Sequence, residues 1–167
     1  MELGHNEIQS CIAQLDNLKT ISLFQGIEMA FLSLTGDKLY VHHKESERII
    51  VINYCKTGRI GWKMGNGNYV YLGEGDFSIH TMKLCADSEI NLPNGSYEGI
   101  SIYIDLQEIT SNPPALLLGT GITGTALYEK LCKNDTIISL MGNEYTEKIF
   151  QFFIISPKTH KLQIKKF

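Results

Sequence analysis

Between Ile27 and Leu106 short β-rich runs alternate with turn residues. The runs are Ile27–Leu34, Lys38–His43, Ile49–Cys55, Arg59–Met64, Asn68–Leu72, Asp76–Thr81, Cys85–Leu92 and Tyr97–Asp105. They are separated by Gly36-Asp37, Thr57-Gly58, Gly65-Asn66-Gly67, Gly73-Glu74-Gly75 and Pro93-Asn94-Gly95. Asn-Gly between two apolar runs is a strong hairpin signal, because both turn residues must tolerate positive φ. The run Arg59–Met64 is therefore expected to pair with Asn68–Leu72. Eight short strands at this spacing predict a sandwich, jelly roll or barrel and not βαβ units.

Helical spacing frames this β-rich stretch. Ile8, Cys11, Ile12, Leu15 and Leu18 predict a short N-terminal amphipathic helix. After Asp105, Pro113-Pro114 is expected to stop the last strand, and Thr123–Cys132 reads as a helix. Asn143 is a good N-cap for a helix over Glu144–Ile155, with acids in its first turn. That helix carries Ile149, Phe150, Phe152, Phe153 and Ile154, too broad an apolar surface to stand in solvent. Pro157 is expected to end it, and His160–Phe167 begins a further basic amphipathic pattern. The domain reading is one structural unit, with a helix and β-barrel over 1–106 and a packing, dimerising helical segment over 107–167.

Composition narrows the function. The chain has 167 residues, 43% hydrophobic and 20% charged, with a net charge of −3. Such a length buries roughly two thirds of the unfolded surface without help from a metal or disulfide. No basic block occurs in the first 150 residues, so this chain is not expected to grip nucleic acid by itself. Cys11, Cys55, Cys85 and Cys132 are widely spaced with no C-x-x-C, which argues against structural zinc or a redox pair. The polar start and the lack of a long apolar run point to a cytoplasmic protein without membrane contact.

Candidate chemistry is sparse. Neighbouring residues on a strand face opposite ways, so at most one of His42 and His43 enters the interior. The His-x-His spacing that a metal-binding barrel wants is missing. Asp76 and His80 share a face but lie about 13 Å apart along a strand, too far for a dyad; Asp76 fits a tight turn better. The Gly-x-Gly triplets lack the strand–loop–helix setting of a nucleotide site. No catalytic residue, metal ligand or cofactor is expected.

The last strand says more. Ile100, Ile102 and Ile104 form one face, which the later helices can cover. Tyr97, Gly99, Ser101 and Tyr103 form the other, with small residues between hydroxyl-bearing rings, as a ligand pocket needs. Asn53 and Cys55 share a face on one strand, and Trp62 and Met64 on another. The expected ligand site is Asn53, Cys55, Trp62, Met64, Tyr97, Ser101 and Tyr103.

Ile52–Trp62 (INYCKTGRIGW), the Asn-Gly hairpin and Tyr71–His80 (YLGEGDFSIH) together resemble the N-terminal cupin domain of AraC-type transcription regulators. The nearest branch is the siderophore-responsive, pyochelin-regulator-like one. The resemblance covers roughly residues 20–167. It implies a cupin-like β-barrel that binds a small-molecule effector, helices that form a homodimer, and a separate helix-turn-helix domain that alone contacts DNA. Nothing in this chain reads as that domain, which is expected beyond Phe167. Ile149, Phe150 and Phe153 are the expected dimerisation residues. A metal-dependent cupin enzyme, a dioxygenase or isomerase, is the alternative. Against it, Tyr97-Glu98 stands where the second cupin half-motif would want a histidine. A pure dimerisation module with an empty barrel is a third reading.

Overall fold

The structure, a computed structural model, describes residues 7–12, 18 and 20–155. Its strands are β1 (Thr20–Phe24), β2 (Ile27–Thr35), β3 (Lys38–His42), β4 (Ile49–Gly58), β5 (Ile60–Lys63), β6 (Tyr69–Leu72), β7 (Phe77–Thr81), β8 (Asp87–Asn91), β9 (Ser96–Asp105) and β10 (Ile138–Leu140). The helices are α1 (Glu7–Ile12), α2 (Leu106–Ser111), α3 (Gly124–Leu131) and α4 (Glu144–Ile155). The fold is mainly β, and all eight expected strands are present.

The pairing is that of a jelly roll. The strands pair as a nested hairpin: β2 with β9, β3 with β8, β4 with β7 and β5 with β6, all antiparallel. Rolling this hairpin brings β4 beside β9 and β5 beside β8. The result is a six-stranded sheet, β1-β2-β9-β4-β7-β10, and a four-stranded sheet, β3-β8-β5-β6. The two sheets do not join into one closed hydrogen-bonded ring, so the expected barrel is an open two-sheet jelly roll. The tip of the hairpin is the Asn-Gly turn. There Gly67 takes φ +84° and the Asn68 amide donates to Asn66 Oδ1 at 3.0 Å.

The alternation of each strand decides what lies between the sheets. Cys55, Ile60, Trp62, Val70, Ile90 and Tyr97 belong to one interior cluster. Ile8 and Cys11 of α1 join Ile49, Val51, Met82 and Tyr103 in a second cluster. The helix therefore packs against this part of the interior. Beside it Thr20 donates to the buried carboxylate of Glu28 at 2.6 Å, and Gln9 bonds the same carboxylate. The outer face of the large sheet carries Ile50, Ile52, Ile79 and Ile104, which pack with Leu106, Cys132 and the α3 side chains Leu127, Tyr128 and Leu131. Of the isoleucine face expected to be covered by the later helices, Ile104 lies in this cluster; Ile100 and Ile102 are not part of it.

Several boundaries differ from the sequence reading. β9 ends at Asp105, as the run Tyr97–Asp105 has it, but what stops it is Asp105 and not Pro113-Pro114: Asp105 caps α2, its Oδ1 accepting from the amides of Gln107 and Glu108 at 3.1 and 3.0 Å. The same carboxylate takes a two-pronged bond from Arg48, with Nε and Nη2 each at 2.6 Å. β1, α2 and β10 are additional elements. α1 covers Glu7–Ile12, and Leu18 lies outside it. Residues 13–17, Pro157 and His160–Phe167 lie outside the described residues. No helix among those described is long and apolar enough to cross a membrane.

Candidate functional site

Between the two sheets lies a cavity of about 440 Å³, within the usual range for small-molecule pockets. Its wall from the large sheet is set by register. Val51 pairs with both Tyr103 and His80, and one rung along Asn53 pairs with both Ser101 and Ser78. The facing wall is set by Val41 opposite Ser88 and by Trp62 opposite Ile90.

Four of the seven expected ligand-site residues line this cavity: Asn53, Trp62, Ser101 and Tyr103. Cys55, Met64 and Tyr97 do not. They pack into the adjoining hydrophobic cluster. The reason begins at Gly99. The space above it, expected to be open, is taken by the Tyr97 side chain: a Cβ at position 99 would fall 2.2 Å from the Tyr97 hydroxyl. That hydroxyl donates to the Tyr54 carbonyl at 3.3 Å. Tyr97 also meets Trp62 edge-on, with ring centres 6.2 Å apart, and so closes that end of the interior.

His43, His80, Cys85, Ser88 and the exposed Ser33 complete the polar wall and were missed in the sequence reading. His80 was legible from parity, since it shares the inward face of Ser78. His80 Nδ1 lies 3.0 Å from the Thr81 carbonyl, which can only accept, so this nitrogen carries the proton. Its Nε2 is left as an acceptor and takes the Asn53 amide at 3.1 Å. Ser101 donates to Asn53 Oδ1 at 2.6 Å. This chain of three side chains is closed, each donor matched to an acceptor.

His43 follows the same logic. Its Nδ1 faces the Lys44 carbonyl at 2.9 Å, and its Nε2 lies 3.4 Å from Cys85 Sγ. Burial holds both imidazoles below the ordinary histidine pKa. Burial also pushes the Cys85 thiol up to about 12, so it stands protonated, with its one proton within reach of both the Met82 carbonyl at 3.6 Å and His43 Nε2. The Tyr103 phenol is pushed upward by the same cause. Cys11, Cys55 and Cys132 are buried, and Cys85 alone of the four is partly accessible. The Ser88 hydroxyl is buried without a hydrogen-bond partner among the described residues.

Elsewhere, His42 is exposed and pairs with Asp87. Asp76 serves its turn, its Oδ2 accepting from the Gly73 amide at 2.8 Å. Among the described residues no three His, Cys, Asp or Glu side chains gather as metal ligands. With His80 Nε2 already bonded to Asn53, this donor set does not fit a metal centre.

The expected dimerisation residues separate. Phe150 is buried and stacks on Tyr54 with ring centres 4.1 Å apart, and it also meets Phe77 at 6.2 Å. It therefore serves the chain's own sheet and is unavailable to a partner. Ile149 is exposed and Phe153 is half-buried. Tyr145 and Phe152, not chosen from the sequence, are exposed together with Ile149 on α4.

No protein-family model matches the chain, and no curated protein matches it. Solved structures do. A cupin 2 conserved barrel domain protein from Leptotrichia buccalis is 18% identical, with a TM-score of 0.42, covering 53% of this chain and 39% of that one. The cupin 2 domain of an XRE family transcriptional regulator from Enterobacter cloacae is 10% identical, with a TM-score of 0.41, covering 52% of this chain and 93% of that one. The protein YhaK from Escherichia coli is 11% identical, with a TM-score of 0.46, covering 80% of this chain and 56% of that one.

Proposed function

We propose that this chain is the effector-sensing and dimerisation part of an AraC-type bacterial transcription regulator, acting in the cytoplasm without catalysis. One observation carries the reading. β4 holds the cavity wall on one face, through Val51 and Asn53, and the seat of the helices on the other, through Ile50, Ile52 and Tyr54. A molecule that favours one arrangement of β4 biases the helices behind it, and so shifts their population. DNA is contacted only through a domain outside this chain. On this reading the molecule is held in the cavity and no bond is made or broken there.

The helices carry the second half of the proposal. Tyr145, Ile149 and Phe152 recur at helical spacing on the exposed side of α4, a stripe suited to a twofold partner. A melting-temperature screen of small molecules tests the sensing role. A stabilising molecule should be recovered chemically unchanged after prolonged incubation with the protein. Its conversion into a product would establish an enzyme and overturn the reading.

A further inference from the structure

We propose that the cavity accepts an uncharged, largely apolar molecule whose single hydroxyl docks between Ser88 and His43. The proposal rests on the reading of the cavity as a ligand site and adds the class of ligand.

Charge decides the first half. Among the described residues no Asp, Glu, Lys or Arg lines the cavity. Glu28, the buried carboxylate by α1, is bonded by Thr20 and Gln9 and is not part of the lining. The two imidazoles have their Nδ1 protons committed to the carbonyls of Lys44 and Thr81. A carboxylate or ammonium entering this space would lose its water and meet no counter-charge, which neutral hydrogen bonds do not repay. Leu32, Leu39, Trp62 and Ile90 supply an apolar side for the body of the ligand.

The distribution of hydrogen-bonding capacity decides the second half. The Ser101–Asn53–His80 chain is satisfied internally and offers a wall more than a dock. Ser88 is different: its hydroxyl is buried and unpartnered among the described residues. His43 Nε2 lies 3.4 Å from the Cys85 thiol, a weak donor whose one proton also has the Met82 carbonyl at 3.6 Å, so a ligand hydroxyl competes readily for this nitrogen. Ser88 sits opposite Val41, and His43 lies two residues beyond Val41. His43 follows the last residue of β3, and its amide donates to the Ala86 carbonyl at 3.0 Å, so the two are diagonal neighbours across the strand pair, roughly 7–8 Å apart. A ligand hydroxyl between them donates to His43 Nε2 and accepts from Ser88.

The test uses four probes of one shape: 4-tert-butylcyclohexanol, its methyl ether, the 4-tert-butylcyclohexane carboxylate and the 4-tert-butylcyclohexyl ammonium ion. Each is titrated into the full chain and followed by the fluorescence of Trp62, the sole tryptophan, and by melting temperature. The alcohol should bind tightest, about ten-fold or more over either charged probe and several-fold over the ether. Ser88→Ala, which removes the donor to the ligand oxygen, should weaken the alcohol and the ether alike, and His43→Phe, which removes the acceptor, should bring the alcohol down to the ether's affinity. A charged probe binding as tightly as the alcohol would overturn the ligand class while leaving the cavity a ligand site. Alcohol binding unchanged in Ser88→Ala, or an undiminished preference for the alcohol over the ether in His43→Phe, would overturn the dock. If no probe moves either signal at millimolar concentration, the ligand-site reading and the ligand class both fall.

Discussion

Asn53 can hold its amide in one orientation only, because Ser101 donates to its oxygen while its nitrogen donates to His80. Removing such a link strands the groups on either side. Asn53→Leu should therefore cost about 1–3 kcal/mol in urea denaturation, the usual penalty for buried polar groups left unpaired. Ser101→Ala removes only one end and should cost less. The two histidines add a pH dependence. Burial sets their folded pKa below the unfolded value of about 6.5, so the unfolded chain takes up protons first as pH falls. The stability they contribute is full above that value and is lost as pH drops beneath it, by up to about 1.4 kcal/mol per pH unit for each histidine. Urea midpoints measured from pH 7 to pH 5 should fall, and His80→Gln should flatten the slope. A midpoint independent of pH in the native protein would contradict the buried neutral imidazoles. At this scale the sequence was half legible. Strand parity gave Asn53, Ser101 and Tyr103 correctly, because alternation is a local rule. It put Tyr97 on the inward face as well, where the ring is buried, but the folding of that ring over Gly99 and out of the cavity wall is a choice made by tertiary packing and invisible to parity.

The same division holds for the elements. The eight core strands and the helices α3 and α4 were legible from alternation, turn residues and caps; Asn143 Oδ1 does accept from the amides of Tyr145 and Thr146 at 3.0 Å. α2 carried a signal that was passed over, since Asp105 followed three residues later by Glu108 is a helix-start signature. β10 gave no such signal: three residues become a strand only because the edge of β7 is there to pair with. The attachment of α4 is testable. Phe150 is its buried contact with Tyr54 and Phe77, and truncating a buried phenylalanine costs roughly 3–5 kcal/mol where the surroundings cannot collapse. In Phe150→Ala, hydrogen exchange over 144–155 should quicken while β4 and β9 keep their protection. Equal loss of protection in helix and sheet would show that α4 is part of the core and not a separately seated element.

For the molecule as a whole, one nested hairpin rolled on itself explains both the fold and the site. It places β4 between β7 and β9, with a ligand-sized space in front and helices behind. Local signals gave the strands, but the rolling depends on contacts distant in sequence, so the shape of the cavity was not legible. The exposed stripe of Tyr145, Ile149 and Phe152 makes a homodimer the expected state. Sedimentation over a wide concentration range should show association that Ile149→Glu with Phe152→Glu abolishes; a monomeric mass at high micromolar concentration would contradict it. The central claim is that a small molecule occupies the cavity and is felt by the helices. The sole tryptophan lines that cavity, so its indole N–H gives a single reporter in a nitrogen-correlated NMR spectrum. Titrating 4-tert-butylcyclohexanol into labelled protein should shift the Trp62 indole peak saturably, with amide shifts along β4 and into α3 and α4 at the same midpoint. A stationary indole peak at saturation, or shifts that end at β4 and leave both helices unmoved, would contradict the account.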